Sequence, residues 1–357
     1  MNVTTTAAVP KLGLLTVPLH FKTAMRKLEG IRGAAQFCSE NRFSCMQVAM
    51  FPTKGPAARD FSAETLNAKW VLRNQTAARE GVREITEKTG VSIDSVSYCD
   101  NILGNPRFRA HLEDVIRAGG VIGAKSVVTF IGNANPLAKK AKVAMQGAAG
   151  QQFFIDKVGE IFGPLSRLAS DNGMQLQIEN CPMGFAMNPN GLTGVTNLFS
   201  SPALFKMVLE AVPELNIHFD PSHIRNYRGA ASQIQTATSL IASMIERFGK
   251  NFGISNHLKD GEDNRQGILE HQSLGDPFDP NTHTQGLWIA RAPGRGAIDW
   301  LSFEATMRAN APHCLTRIVE LEDLSADTLE KNMALFRATA DYYRDVVFVK
   351  VYGSTGE

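Results

Sequence analysis

Two short apolar runs, MQLQIEN at residues 174–180 and LNIHFDP at residues 215–221, flank a segment at about 202–212 with helical spacing of its apolar residues. Both runs have the length and composition of buried strands. A strand, a helix and a second strand in that order imply a right-handed βαβ unit whose two strands are parallel.

The same alternation continues outward to both ends of the chain. Further strands are predicted at 11–19, 45–52, 92–100, 126–132, 252–260 and 315–323. Helices are predicted at about 23–40, 62–90, 106–118, 153–171, 202–212 and 232–250, from near Trp300, and from the N-cap candidate Ser325. Eight such units are the number that closes a (β/α)8 barrel. The alternative, an open doubly wound sheet of the Rossmann type, lacks support because no G-x-G-x-x-G follows the first strand.

The pattern therefore predicts an α/β fold, a single (β/α)8 TIM barrel over residues 11–350 after an N-terminal tail at 1–10. Two connections are long for this fold, one at 133–149 after strand four and an insertion at about 261–298 after strand seven. Both lie on the C-terminal face, where barrel enzymes hold their active sites. We expect the insertion to cover the site or to reach a neighbouring subunit, with Phe278 and Trp288 as its apolar contacts.

Composition and charge exclude several classes of protein. The 357 residues are 43% hydrophobic and 20% charged, which excludes disorder for the bulk of the chain. A net charge of +2 argues against a dedicated nucleic-acid binder. No apolar run approaches the roughly 20 residues of a membrane span, and no signal peptide is evident, so we expect a cytoplasmic protein. Five cysteines without a C-x-x-C pair argue against a disulfide framework or a structural zinc site.

Polar residues end four successive predicted strands, where a barrel strand should otherwise be apolar. They are Glu179, Asp220, His257 and Glu320. Period-2 alternation turns all four side chains inward, so they should converge at the mouth of the barrel. Three carboxylates cannot share a small space as anions unless a cation compensates them. Oxygen and imidazole donors favour one divalent ion, with Mn²⁺ expected and Mg²⁺, Co²⁺ or Zn²⁺ as alternatives.

The motifs QIEN (177–180), HFDPSH (218–223), NHLKD (256–260), PGRGAID (293–299) and VELED (319–323) resemble the xylose-isomerase-like TIM barrel superfamily. That superfamily includes sugar phosphate isomerases and epimerases, inosose dehydratases and AP endonucleases. The resemblance implies that Glu179, Asp220, His257 and Glu320 hold the metal and that the two glutamates form the acid/base pair. It also implies that His223 contacts the substrate. The predicted ends of strands two and three read MFP and YCD, without the histidines of the endonucleases, which argues against DNA repair.

The residues fit proton transfer beside a metal-bound carbonyl, through an enediolate, on a ketose or keto-sugar derivative. The expected activity is a sugar isomerase or epimerase. The alternative is a lyase or dehydratase that eliminates from a keto-inositol, keto-sugar or 3-oxo-glycoside at the same site, and a barrel that has lost catalysis is a third possibility.

Weaker predictions concern the residues around this set. Lys259 is a candidate substrate contact, and Asp260 is expected either to orient a ligand or to cap the following turn. Gln177 and His218 point inward one layer below Glu179 and Asp220, either as supporting hydrogen-bond partners or, for His218, as a satisfied core histidine. The expected partner is a small sugar or sugar derivative, with no nucleic acid and no membrane, in a homo-oligomer.

Overall fold

A computed structural model describes residues 8–16, 30–52, 61–63, 65–144, 147–181, 197–199, 202–225, 234–263, 288–323, 325–326 and 328–354. Eight parallel strands form a barrel in the order β6-β5-β4-β3-β2-β1-β10-β7. The strands are β1 (Lys11–Leu15), β2 (Cys45–Ala49), β3 (Ser92–Tyr98), β4 (Ser126–Thr129), β5 (Gln175–Glu179), β6 (Asn216–His218), β7 (Ser255–Leu258) and β10 (Thr316–Val319). A parallel bridge between Ile217 and Phe252 spans the remaining gap between β6 and β7. The predicted (β/α)8 fold is confirmed.

Helices follow the strands in the order that a barrel requires. They are α1 (Gly30–Glu40), α2 (Ala68–Arg73), α3 (Gln75–Thr89), α4 (Pro106–Ile122), α5 (Asn135–Ala141), α6 (Gly147–Asp171), α7 (Pro202–Ala211), α8 (Pro221–Arg225), α9 (Ile234–Phe248), α10 (Trp300–Asn310), α11 (Leu329–Asp341) and α12 (Val349–Tyr352). Apolar side chains such as Leu14, Val127 and Ile178 fill the layer between strands and helices and are fully buried. In the described part of the chain, no helix combines the length and the apolar character that a bilayer crossing requires.

The inside of the barrel is narrow and largely polar. A Cβ on Gly13 would come within 2.6 Å of the Cys45 and Ile318 side chains, so this position requires a residue with no side chain. The polar residues Gln47, Ser97 and Ser255 are all buried. Such an interior cannot be held together by apolar contacts alone, and its polar groups must be arranged around one another.

The observed strands end earlier than the sequence predicted. β7 ends at Leu258 and β10 at Val319, whereas the predicted strands ran to residues 260 and 323. The residues beyond each strand leave the ladder and form the mouth of the barrel. The last helix also begins later than predicted, because its N-cap is Thr328, whose hydroxyl accepts a hydrogen bond from the Lys331 amide. Ser325 instead bonds to Asp323.

Part of the insertion after β7 is described. Its two ends pair as antiparallel strands, β8 (Asp260–Asp263) and β9 (Trp288–Arg291). Residues 264–287, with Phe278, lie outside the described residues, as does the side chain of Trp288. Of the other long connection, residues 135–141 form α5 and 147–149 begin α6.

Candidate active site

The structure brings together the four polar residues that end successive strands. Glu179 is the last residue of β5, His257 lies in β7, and Asp220 and Glu320 follow β6 and β10. One donor atom from each lies within 4.8 Å of the others, and all four side chains are buried. The convergence expected from strand alternation is present, while the ligand role of these residues stays a prediction.

His257 lies between the two glutamates. Its Nδ1 is 3.4 Å from Glu179 Oε1 and 3.2 Å from Glu320 Oε2. Burial alone would lower the pKa of His257, but Glu320 and Glu179 raise it to about 10. Burial likewise opposes ionisation of Glu179 and Glu320, yet the cationic neighbours of both carboxyls lower their pKa values. Both glutamates are therefore ionised at neutral pH.

Lys259 provides part of the positive charge that the carboxylates need. It is buried, and its Nζ lies 3.1 Å from Asp220 Oδ2, 2.8 Å from Glu320 Oε2 and 3.2 Å from Glu322 Oε2. Burial would lower the pKa of Lys259, but Asp220, Glu320 and Glu322 raise it well above its usual value. The Lys259 ammonium and the protonated His257 ring are fewer than the four carboxylates around them, which leaves an excess of negative charge that a further cation would balance.

Glu322 is a site residue that the sequence reasoning missed. It has the same parity as Glu320 in VELED, so period-2 alternation already pointed it inward. Burial raises the pKa of Glu322, against the lowering effect of Lys259.

Local structure fixes Asp220 and His223. The Asn180 side chain bonds to both main-chain groups of Asp220, at 2.6 Å to its amide and 3.0 Å to its carbonyl. Asp220 Oδ1 accepts a hydrogen bond from the Ser222 amide at the start of α8. One turn of helix then places His223 Nε2 3.1 Å from Asp220 Oδ2 and 3.6 Å from Glu179 Oε1. His223, predicted as a substrate contact, thus borders the cluster.

A second layer of polar side chains lies beneath His257. The amide nitrogen of Gln47, on β2, is 3.3 Å from His257 Nε2. The ring of His218 packs edge-on against the ring of His257 with centroids 4.2 Å apart, and its Nδ1 is 3.0 Å from the Gln177 amide. Gln177 and His218 thus lie where alternation placed them, whereas Gln47 was not predicted.

Asp260 caps the turn after the insertion. It accepts hydrogen bonds from the amides of Gly294, Gly296 and Ile298 and from the Trp300 indole. A Cβ on Gly296 would come within 2.2 Å of Asp260 Oδ1, so the turn requires glycine there. The PGRGAID motif therefore returns the chain to the barrel through Asp260.

Two cysteines border Glu179 and were not singled out from the sequence. Cys99 Sγ lies 4.0 Å from Glu179 Oε2. Cys181 forms a second group of closely placed donors with Glu179 and His223.

The cluster suits a divalent ion. Three carboxylates and one imidazole are the donors that such ions take from a protein. His257 Nδ1 faces the carboxylates and makes no hydrogen bond of good geometry among the described residues, although it is buried. A nitrogen left in this position fits a metal ligand, because buried polar atoms otherwise have partners.

Several known structures share the fold of this chain at low sequence identity. Neither a protein-family model nor a curated protein sequence matches this chain. A xylose isomerase domain protein from Planctomyces limnophilus matches with TM-score 0.58 and 12% identity over 97% of this chain and 99% of that one. The IolI protein with a bound zinc atom matches with TM-score 0.56 and 15% identity over 96% and 99%. A 3-keto-D-glucoside 4-epimerase from E. coli matches with TM-score 0.53 and 13% identity over 92% and 99%. The chain has the fold of the xylose-isomerase-like TIM barrels.

Proposed function

We propose that this protein is a divalent-metal-dependent sugar isomerase, most specifically an epimerase, which acts by proton transfer on a ketose or keto-sugar derivative. The observation that carries the proposal is the convergence of Glu179, Asp220, His257 and Glu320 on one point at the mouth of the barrel. Similarity in fold to epimerases supports the class of reaction without identifying the substrate.

Asp220 and His257, together with the two glutamates, would hold one ion. When bound, the ion would polarise a substrate carbonyl and its neighbouring hydroxyl and so acidify the carbon between them. Mn²⁺ is the proposed ion on the basis of the donor set.

Glu179 and Glu320 do the proton chemistry in this proposal. Both are ionised and buried, and each has an oxygen within 3.4 Å of His257 Nδ1. One carboxylate removes the proton from the carbon beside the carbonyl. The other first takes up a proton from solvent and then delivers it to the opposite face of that carbon. Their cationic neighbours lower both pKa values, so each carboxylate is deprotonated and available to accept a proton.

Lys259 and His223 would contact the substrate. Lys259 Nζ lies 3.2 Å from His223 Nε2, so the two groups are adjacent beside Asp220. An ammonium and an imidazole there can hydrogen-bond sugar hydroxyls and stabilise the negative charge that develops on oxygen.

The test is incubation of the Mn²⁺-loaded protein in D₂O with a panel of free ketohexoses and 3-keto-glycosides. An epimerase incorporates one solvent deuterium at the inverted carbon and releases nothing, as followed by NMR and mass spectrometry. Glu179→Gln and Glu320→Gln should each abolish the exchange, and Glu113→Gln, on the exposed surface of α4, serves as the matched control. Exchange that persists in both glutamine variants contradicts the scheme.

The same experiment separates the lyase alternative. A lyase acting at this site would expel water, an alcohol or an aglycone and leave an unsaturated product. If elimination occurs with every accepted substrate and no epimer appears at any time, the epimerase assignment is wrong and the lyase replaces it.

A further inference from the structure

A second group of metal-binding side chains overlaps the first. Glu179, Cys181 and His223 each offer one donor atom, and these atoms lie within 4.8 Å of one another. All three side chains are buried, with relative exposures of 4%, 2% and 1%. The group differs from the first cluster in one respect that matters chemically, because it contains a thiol.

We propose that Glu179, Cys181 and His223 form a separate site for a thiophilic divalent cation, of the class of Zn²⁺ or Cd²⁺. A carboxylate, a thiolate and an imidazole are all common zinc donors, and three protein ligands with an open fourth position is the usual arrangement of an accessible zinc site. The first cluster offers only oxygen and imidazole, so thiophilic ions should prefer the second site and hard ions the first.

The geometry needs little change to hold such an ion. Ligands at about 2.0–2.3 Å in a tetrahedron are separated from one another by about 3.5 Å. Donor atoms already within 4.8 Å reach that separation by small rotations of the side chains. The backbone is held in place by Asn197, whose amide donates to the carbonyls of Glu179 and Cys181 at 3.0 and 2.9 Å. Glu179 and Cys181 therefore project from a backbone segment that is held by hydrogen bonds.

The two sites should compete for occupancy. They share Glu179, and the Lys259 ammonium contacts Asp220 and Glu320 of the first site and His223 of the second. A second dication would add to the positive charge already present there, which opposes simultaneous filling. An ion in the second site would remove Glu179 and His223 from the proposed catalytic roles, so an excess of zinc should inhibit the enzyme.

The binding part of this inference stands independently, and only the inhibition rests on the proposed function. The first experiment titrates Co²⁺ into metal-free, full-length Asp220→Asn protein, in which the first site lacks a charged ligand. Asn keeps the oxygen that accepts from Ser222, so the fold is retained. We expect a near-ultraviolet band from thiolate-to-cobalt charge transfer.

Two double variants locate the thiolate. Adding Cys181→Ser to Asp220→Asn should abolish the band, while adding Cys99→Ser, the other thiol beside Glu179, should leave it. Each protein is first checked for a cooperative unfolding transition without metal. If the Asp220→Asn protein shows no band, or if the band survives Cys181→Ser, the second site does not exist.

The inhibition is tested with Zn²⁺ added to Mn²⁺-loaded protein carrying only Cys181→Ser. Its half-inhibitory zinc concentration should rise by at least about tenfold over wild type, since even losses outside the ligand set change metal affinity by that much. Equal sensitivity overturns the inhibitory role. The two proposals can fail separately. If the cobalt band depends on Cys181 but the protein converts no ketose, the proposed function is rejected and the second metal site is still supported.

Discussion

Two buried charge clusters in this protein have opposite character. Glu304 on α10 and Arg317 on β10 form a pair in which both guanidinium bonds are made, at 2.7 and 3.0 Å. Arg317 also donates to the Cys314 carbonyl, and the Tyr352 hydroxyl donates to Glu304. We call this pair closed, because its opposite charges neutralise each other and its polar atoms are hydrogen-bonded within the protein.

The cluster at the mouth of the barrel is left open. Four carboxylates face one lysine and two histidines, and His257 Nδ1 has carboxylates around it but no well-formed hydrogen bond in the described structure. Both clusters are buried, and burial alone does not tell structure from function. The two clusters differ in how much charge and how many hydrogen-bonding atoms the protein's own side chains leave unpaired. Only unpaired groups are available to bind an ion or a substrate.

The largest expected effect of a single substitution is on the closed pair. Arg317→Met leaves Glu304 as a buried, uncompensated carboxylate and should lower the free energy of unfolding by about 3–5 kcal/mol. Urea denaturation of metal-free protein measures it. A double variant, Arg317→Met with Glu304→Leu, should regain most of the loss. If the single variant were as stable as wild type, the contrast between the two clusters would lose its basis.

The open cluster should respond to a ligand instead. Mn²⁺ at a hundred times its Kd should raise the free energy of unfolding by about 2.7 kcal/mol, because the ion binds only the folded state. Asp220→Asn should lose this gain and remain folded without metal. Thermal unfolding with and without Mn²⁺ provides the measurement, and Glu304–Arg317 variants should still gain stability from the ion.

Gln47, which contacts the far side of the His257 ring, should affect the affinity of the open cluster for Mn²⁺. The Gln47 amide nitrogen lies 3.3 Å from His257 Nε2. If His257 held the ion through Nδ1, Nε2 would carry the proton, and rotation of the Gln47 amide would bring its oxygen round to accept it. Gln47→Ala should weaken Mn²⁺ affinity by about 10- to 100-fold, as loss of such a partner typically does. Isothermal titration calorimetry tests this, with Ser97→Ala as a buried control on the adjacent strand. Unchanged affinity would show that the His257 ring needs no such support.

The smallest effect is that of a change by a single pH unit. The neighbouring glutamates raise the pKa of His257 to about 10. Below that pH, the His257 ring of the metal-free protein is in the protonated, cationic form. The ion must displace that proton, so Mn²⁺ affinity should increase with pH by about tenfold per unit between pH 6 and 9. Calorimetry in buffers of different ionisation enthalpy should report release of about one proton. Affinity that is constant over this range would contradict a protonated His257.

Much of the fold and half of the site were accessible from the sequence. Eight alternations of strand and helix determined the barrel, and the two-residue period turned Glu179, Asp220, His257 and Glu320 toward its mouth. Glu322 obeys the same period and could have been included. These inferences depend on local spacing along one strand, and parallel strands in a barrel end on the same side.

Only the tertiary structure decided which side chains meet across the barrel. Nothing in the sequence distinguishes Glu304 and Arg317, which neutralise each other, from Lys259, which lies among an excess of carboxylates. The contact of Gln47 with His257 joins strands β2 and β7, which are not neighbours in the barrel. Cys181 becomes a possible ligand because α8 brings His223 back to it. Such contacts depend on strand order, helix placement and side-chain rotamers, and a linear pattern of residue types records none of these.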